Sequence, residues 1–240
     1  MDRSPSTGHA YRHFDTIFAL FVATLVISNV LAGAKQVRAG PFVFPGALVI
    51  FPITYIFGDV LTEVYGYART RRVIWTGFAC NVILAVTVLL VGALPDARGR
   101  EHQAAYETVL GLTPFVVLGS LAGYFAGEFA NSYTLAKMKI LTSGRYLWTR
   151  TVGSTIVGEA VDTTLFVHIA FALPLLLGKP APPWGVIVTM WYAHMLAKIA
   201  YEALATPLTY VLVGYLKRTE GEDYYDRNTD FSPFRLTRAG

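Results

Sequence analysis

The sequence predicts an all-α membrane protein: a six-transmembrane-helix bundle with a broken second span and both termini cytoplasmic. Two observations predict the membrane class. Only 15% of the residues are charged, against roughly 25% in an average soluble domain. The charged residues also cluster, and each apolar window between clusters is near the roughly 20 residues that a helix needs to cross a bilayer.

Six apolar spans in contact with the lipid bilayer are predicted, between polar tails at residues 1–13 and 218–240. The transmembrane domain therefore covers residues 14–217. The last two spans are long enough to tilt or to project from the bilayer. The predicted spans are Phe14–Ala34, Phe42–Tyr65, Val73–Leu94, Pro114–Leu135, Trp148–Leu177 and Trp184–Leu216.

Lysine and arginine residues predict the orientation, because cytoplasmic loops carry more of them than outer loops do. With the N-terminus inside, the cytoplasmic segments hold eleven and the outer loops five, leaving out the distal tail. The outer loop Asp96–Thr113 is expected to be partly helical. The net charge of +4 follows the helix ends, so no nucleic acid partner is predicted. The cytoplasmic set is Arg3, Arg12, Arg69, Arg71, Arg72, Lys137, Lys139, Arg145, Arg150, Lys217 and Arg218; the outer set is Lys35, Arg38, Arg98, Arg100 and Lys179.

Span four carries a stripe of small residues, Gly119, Gly123 and Gly127, followed in register by Asn131. Small residues four apart allow another helix to approach closely, and an amide can hydrogen-bond across the contact. Two interpretations follow. The stripe is either a homodimer seam or a packing surface for a neighbouring helix of the same subunit.

The second span is interrupted by Pro45, Gly46 and Pro52 and then carries Asp59 and Glu63. Proline breaks a regular helix, and irregular backbone at membrane depth requires surrounding protein or a water-filled cavity. The two carboxylates are four residues apart and so share one helical face. They are either part of a polar cavity or solvated at the cytoplasmic end, beside the arginines that follow.

Spans five and six place more ionisable groups in the bilayer. Such groups cost roughly 2.5–3.5 kcal/mol each to insert, and they normally face a bundle interior. Lys198 is expected to pair with Asp162 or Glu159. So many buried ionisable groups predict a transport or catalytic cavity. The ionisable residues within the spans are Asp59, Glu63, Glu128, Glu159, Asp162, His168, His194, Lys198 and Glu202.

The sequence contains no HExxH metal site, no GxSxG turn and no glycine-rich phosphate loop, the motifs that enzymes of those classes need. We therefore predict no catalytic residue, metal or cofactor, and an intramembrane enzyme remains the alternative. A channel filter of repeated polar residues is also absent. A binding cavity for a small polar solute fits best. Its predicted residues are Asp59, Glu63, Asn29, Gln36, Tyr65, Glu159, Asp162, Lys198 and Tyr201.

Four strings resemble the bacterial queuosine precursor transporter family of the vitamin uptake transporter group: SNVLAGAKQV, FPITYIFGDVLTEVYG, RTVGSTIVGEAVDTTLF and DFSPF. The resemblance implies a six-helix importer in the bacterial inner membrane. Its substrates would be 7-cyano-7-deazaguanine and 7-aminomethyl-7-deazaguanine, salvaged for queuosine in tRNA. It also implies operation without an ATPase module. Another small heterocycle or vitamin is the alternative substrate.

The residues agree with such a ligand. A guanine-like edge presents N1–H beside an exocyclic amine, and one carboxylate can accept both hydrogen bonds. The flat ring would stack on aromatic side chains. Lys198 or an amide could serve the O6 carbonyl, and a second carboxylate could meet the ammonium of the aminomethyl form. The sequence leaves the energy source open between proton coupling, facilitated diffusion and a separate module.

Overall fold

The structure is a computed structural model that describes residues 11–39, 42–111, 114–179 and 181–235. Helices dominate it, and a short hairpin joins the first two. The elements in chain order are α1 (Phe14–Ala34), β1 (Gln36–Ala39), β2 (Phe42–Pro45), a 3-10 turn (Gly46–Val49), α2 (Phe51–Val60), a π segment (Leu61–Tyr65), α3 (Tyr67–Gly92), α4 (Arg100–Leu110), α5 (Pro114–Leu141), α6 (Leu147–Val167), a second π segment (His168–Ala172), α7 (Leu173–Leu176) and α8 (Trp184–Glu220).

Five stretches of the described chain are long and apolar enough to cross a membrane; they contain α1, α3, α5, α6 and α8. Their outer surfaces are apolar: Leu204 is 81% exposed and Val211 69%. Asp59 and Glu63 are fully buried. Apolar groups outside and charges inside suit a lipid environment, so the chain is a multi-pass membrane protein. The helix expected within the loop Asp96–Thr113 is confirmed as α4.

The second predicted span is broken, as expected, but its first residues are not helical. β1 and β2 pair antiparallel from Gln36 opposite Pro45 to Ala39 opposite Phe42. The prediction of a span beginning at Phe42 is therefore wrong there. Aromatic and β-branched residues favour strands, and proline cannot continue a helix. Pro52 lies in the first turn of α2, where its missing N–H removes no helical hydrogen bond.

Span five, predicted as continuous from Trp148 to Leu177, is also interrupted. α6 ends at Val167, and in the following π segment the Leu173 N–H donates to the His168 carbonyl, five residues back. Pro174 has no N–H to donate to the carbonyl four residues earlier, so the regular α-helical hydrogen-bond pattern is interrupted in this turn. The first π segment, Leu61–Tyr65, is the less expected feature, since no proline adjoins it.

The two described ends of the chain lie at the same end of the bundle. The backbone N–H groups of Arg12 and His13 donate to the Glu220 carboxylate at 2.9 and 2.8 Å. Residues 221–235, the C-terminal segment, then cross the start of α3. Asp226 accepts the Tyr67 N–H at 3.0 Å, and Trp75 Nε1 donates to the Pro233 carbonyl at 2.8 Å.

The glycine stripe of α5 packs against α6 of the same chain. A Cβ added at Gly119 would lie 3.0 Å from the Phe166 carbonyl, and one at Gly127 would lie 2.6 Å from the Asp162 Cβ. The Gly123 position is closed by Asp162 as well. Of the two interpretations, packing within the subunit is the one observed. A homodimer seam through these glycines would require α6 to move away.

Candidate functional site

A buried group of charges, the ion cluster, joins the helices at the bundle end that carries the chain ends. It consists of Glu63, Lys139, Arg150, Lys217 and Asp223. Glu63 Oε1 lies 2.8 Å from Arg150 Nη2, 2.7 Å from Lys217 Nζ and 3.5 Å from Lys139 Nζ. Its Oε2 accepts a hydrogen bond from Arg150 Nε at 3.3 Å. Both oxygens of this fully buried carboxylate therefore have cationic partners.

Asp223 of the C-terminal segment completes the ion cluster. Its carboxylate lies 2.6 Å from Lys139 Nζ and 2.8 Å from Lys217 Nζ. Partial burial disfavours the charged form of Asp223, but the two lysines outweigh burial and hold the pKa of this carboxyl below its usual value. Lys139 also donates to the backbone carbonyls of Glu63 and Tyr224 at 2.5 and 2.8 Å. The cluster thus ties four helical elements to the C-terminal segment.

A second polar group, the central site, surrounds Asp59 of α2. It consists of Asp59, Glu128, Asn131, Glu159, Asp162, Lys198 and Glu202. Asp59 Oδ1 accepts the Asn131 side-chain N–H at 2.9 Å. The other oxygen of each side chain, Asp59 Oδ2 and Asn131 Oδ1, is buried without a hydrogen-bond partner. A buried polar atom without a partner is costly, so such atoms indicate a place where a ligand or water binds.

Lys198 of α8 meets two carboxylates of α6. Its Nζ lies 2.7 Å from Glu159 Oε2 and 2.6 Å from Asp162 Oδ2. The predicted pairing of Lys198 with Asp162 or Glu159 is confirmed, and both acids take part. The same ammonium lies 5.9 Å from the centre of the Tyr55 ring, which places an aromatic face beside the charged groups.

Acidic groups outnumber the cation in the central site. Glu202 is 2% exposed, and its Oε1, like Glu159 Oε1, is buried without a partner. Glu202 lies on α8, which packs against α2, and Glu128 Oε2 lies 3.5 Å from the position of a Cβ added at Gly58, next to Asp59. Among the ion pairs of the described residues, those that involve an acid of the central site all have Lys198 as the cation. The site therefore has more acceptors than donors.

The carboxylates predicted to share one helical face, Asp59 and Glu63, have separate partners. Asp59 contacts Asn131, whereas Glu63 contacts the three cations of the ion cluster. The π segment that carries Glu63 departs from the four-residue repeat of an α-helix. The alternative of solvated carboxylates is wrong, because both are fully buried.

The remaining predicted site residues that the structure describes have partners outside the central site. Asn29 donates to Asn81 Oδ1 at 3.0 Å and lines an apolar cavity of about 70 Å³ between α1, α3, α4 and α5. Tyr65 donates to Glu220 at 3.0 Å, and Tyr201 packs against the apolar core. The Gln36 side chain lies outside the described part of the chain.

Known proteins with similar sequences identify the family of this chain. Its residues 45–212 match the family described as "Putative vitamin uptake transporter". The chain belongs to the vitamin uptake transporter family. It is also 34% identical over 166 residues, 68% of each chain, to the "Probable queuosine precursor transporter" of Bacillus subtilis (strain 168). No solved structure matches it.

The stretch that matches the vitamin uptake transporter family includes the whole central site. It also includes Glu63, Lys139 and Arg150 of the ion cluster, but not Lys217 or Asp223. Sequence reasoning missed the ion cluster because it counted these lysines and Arg150 as solvated orientation charges. Glu202 is expected only as an ionisable residue of span six, and Asn131, an amide that suits a polar cavity, is predicted in register with the glycine stripe rather than as a site residue. Their four-residue steps from Lys198 and Gly127 are the signal that could have added them.

Proposed function

We propose that this transporter is a six-span importer of 7-deazaguanine precursors of queuosine, held in the bacterial inner membrane with both termini cytoplasmic. The observation that carries the proposal is the central site, where buried acceptors of Asp59, Asn131, Glu159 and Glu202 lack donors. A 7-deazaguanine supplies donors at N1–H and at its exocyclic amine. The printed name of the Bacillus subtilis relative supports this substrate class.

Asp59 is the best placed reader of the substrate's donor edge. Asn131 holds one of its oxygens, which fixes the carboxylate in orientation and leaves the other oxygen unpaired. Hydrogen bonds from N–H groups to an ionised carboxylate are roughly twice as strong as those between neutral groups. Tyr55 beside Lys198 offers an aromatic face for stacking.

The proposed six crossings follow from the ends of the broken second span. The Gly46 N–H donates to the Lys35 carbonyl, just after α1, whereas Tyr65 reaches Glu220. The segment between them therefore runs back to the chain ends, although its apolar run is interrupted. The excess of lysine and arginine at that end supports a cytoplasmic location for it.

The test is equilibrium binding of 7-cyano-7-deazaguanine to purified wild-type, Asp59→Asn and Asp15→Asn proteins. The amide at position 59 presents an N–H towards the ligand's own N–H, so we expect a loss of about 30- to 1,000-fold in affinity, equivalent to roughly 2–4 kcal/mol. Asp15 is exposed in the first turn of α1, and its matched substitution should leave binding unchanged.

Folding of each variant is checked by thermal unfolding before binding is measured. Wild-type protein that binds no 7-deazaguanine would refute the proposed substrate. A folded Asp59→Asn protein with wild-type affinity would instead move the reading carboxylate elsewhere in the central site, with Asp162 next to test.

A further inference from the structure

The central site has fewer hydrogen-bond donors and cations than its acceptors need. The Asn131 amide N–H already serves Asp59, and the Lys198 ammonium serves Glu159 and Asp162. The buried oxygens of Asp59, Glu159 and Glu202 that have no partner are all acceptors when these groups are ionised. Ionised acids in this arrangement leave each of these oxygens unsatisfied.

The charges of the central site also indicate that one of its acids is protonated. Asp59 and Glu202 are 0% and 2% exposed, the helices α2 and α8 that carry them pack against each other, and neither carboxylate meets a cation in the ion pairs of the described residues. A buried carboxylate without a cation is costly to ionise, so these two acids together hold a proton. The other charged groups around them do not relieve this. Lys198 is shared by Glu159 and Asp162, Glu128 adds a further acid, and Glu63 is neutralised within the ion cluster.

The two carboxylates have different surroundings, which assigns the proton. Asp59 accepts a hydrogen bond from Asn131, and that bond favours its ionised form. For Glu202, the oxygen Oε1 has no such donor among the described residues. The proton therefore belongs on Glu202, which becomes a donor, while Asp59 stays an acceptor.

A guanine-like edge requires this combination. Its N1–H and amine need acceptors, which ionised Asp59 supplies, and its O6 carbonyl needs a donor. We infer that Glu202 carries a proton into the central site and donates it in a hydrogen bond to the substrate's O6, so that each substrate enters together with one proton. This inference rests on the proposed function.

The coupling needs no covalent step. The O–H bond of Glu202 forms when it takes a proton from water on the outer side. That bond breaks when the proton passes to cytoplasmic water after the substrate leaves. Because the protonated form binds substrate better, substrate binding and proton binding favour each other by the same factor. An inward proton gradient then drives net uptake.

The first experiment is 7-cyano-7-deazaguanine binding to the purified full-length protein between pH 5.5 and 8.5. Above the pH at which unliganded Glu202 loses its proton, wild-type affinity should fall about tenfold per pH unit, since one proton is linked to binding. Glu202→Gln keeps a donor without a titrating proton, so its affinity should lose this slope. Glu202→Ala should bind weakly at every pH, and Glu107→Gln, on exposed α4, should keep the wild-type slope.

The second measurement does not depend on any variant. Calorimetric titration of the wild type at pH 8 in two buffers of different ionisation enthalpy should show uptake of about one proton per substrate bound. In proteoliposomes, an acidic exterior should drive accumulation of labelled precursor, and a sodium gradient at equal pH should not.

Binding that occurs without proton uptake would overturn the coupling and leave the proposed function standing. The coupling also fails if a folded Glu202→Gln protein keeps the wild-type pH slope, or if sodium rather than acid drives accumulation. Absence of binding at every pH would instead refute the proposed function itself.

Discussion

The ion cluster and the central site are both buried and charged, yet they differ in how completely their atoms are paired. In the ion cluster, three cations and a second carboxylate surround Glu63, and both Glu63 oxygens have partners. In the central site, oxygens of Asp59, Asn131, Glu159 and Glu202 have none. A saturated group holds helices in place, whereas an unsaturated one can accept a ligand. Complete pairing therefore distinguishes a structural charge network from a binding site.

The largest effect that separates the two regions is expected from Glu63→Gln. It leaves Lys139 with Asp223 as its remaining acid, and it leaves the buried Arg150 with no acid in the ion pairs of the described residues. Removing one partner of a buried ion pair typically lowers the free energy of unfolding by about 3–5 kcal/mol. Arginine cannot become neutral by losing its proton, so its charge stays uncompensated. We expect a marked fall in the thermal unfolding midpoint of the purified protein.

Glu202→Gln is the matched control, because it makes the same chemical change in the central site. It replaces a buried acid that meets no cation in the ion pairs of the described residues by a neutral amide, so it should keep or raise the unfolding midpoint. Equal destabilisation by the two substitutions would abolish the distinction between the regions.

The ion cluster should also weaken in acid. The pKa of Asp223 is lower in the folded state than in the unfolded state, so the contribution of Asp223 to stability is lost as the pH falls through its folded-state pKa.

An intermediate effect is expected from Lys198→Met. The acids it leaves, Glu159 and Asp162, can take up protons, so the free energy of unfolding should fall by only about 1–3 kcal/mol. The loss should shrink as the pH is lowered, because protonation removes the uncompensated charge. A second substitution, Asp162→Asn or Glu159→Gln, should restore part of the midpoint at neutral pH. If neither restores it, the two ion pairs do not account for the role of Lys198.

The smallest effect is expected from Asp226→Ala, outside both regions. Both Asp226 oxygens accept the Tyr67 N–H at the start of α3, which makes it a cap supplied from a distant part of the chain. Loss of such a cap costs about 0.5–2 kcal/mol. Asp226→Asn keeps an acceptor and should lose less. Precursor affinity should not change in either variant, and a change would connect the C-terminal segment to the central site.

Prediction from sequence succeeded where one local property decides the structure. The bounds of α1 follow from an apolar run between polar residues, and they were predicted correctly. The pairing of Lys198 followed from the cost of a lone charge in the membrane. Arg150 and Lys139 were misjudged, because their position near helix ends predicts solvation while their long side chains reach inward. The second π segment adjoins Pro174, whereas the first, Leu61–Tyr65, has no adjoining proline to mark it in the sequence.

The ion cluster has a consequence for how the chain is made. Glu63 leaves the ribosome 76 residues before Lys139, 87 before Arg150 and 154 before Lys217. At typical rates of synthesis, the last interval is roughly 8 to 30 s. During that time the nascent second span holds a carboxylate whose final lysine has not been translated. The closing of this end of the bundle is therefore a late event in biogenesis, which cannot finish until α8 and Asp223 have been synthesised.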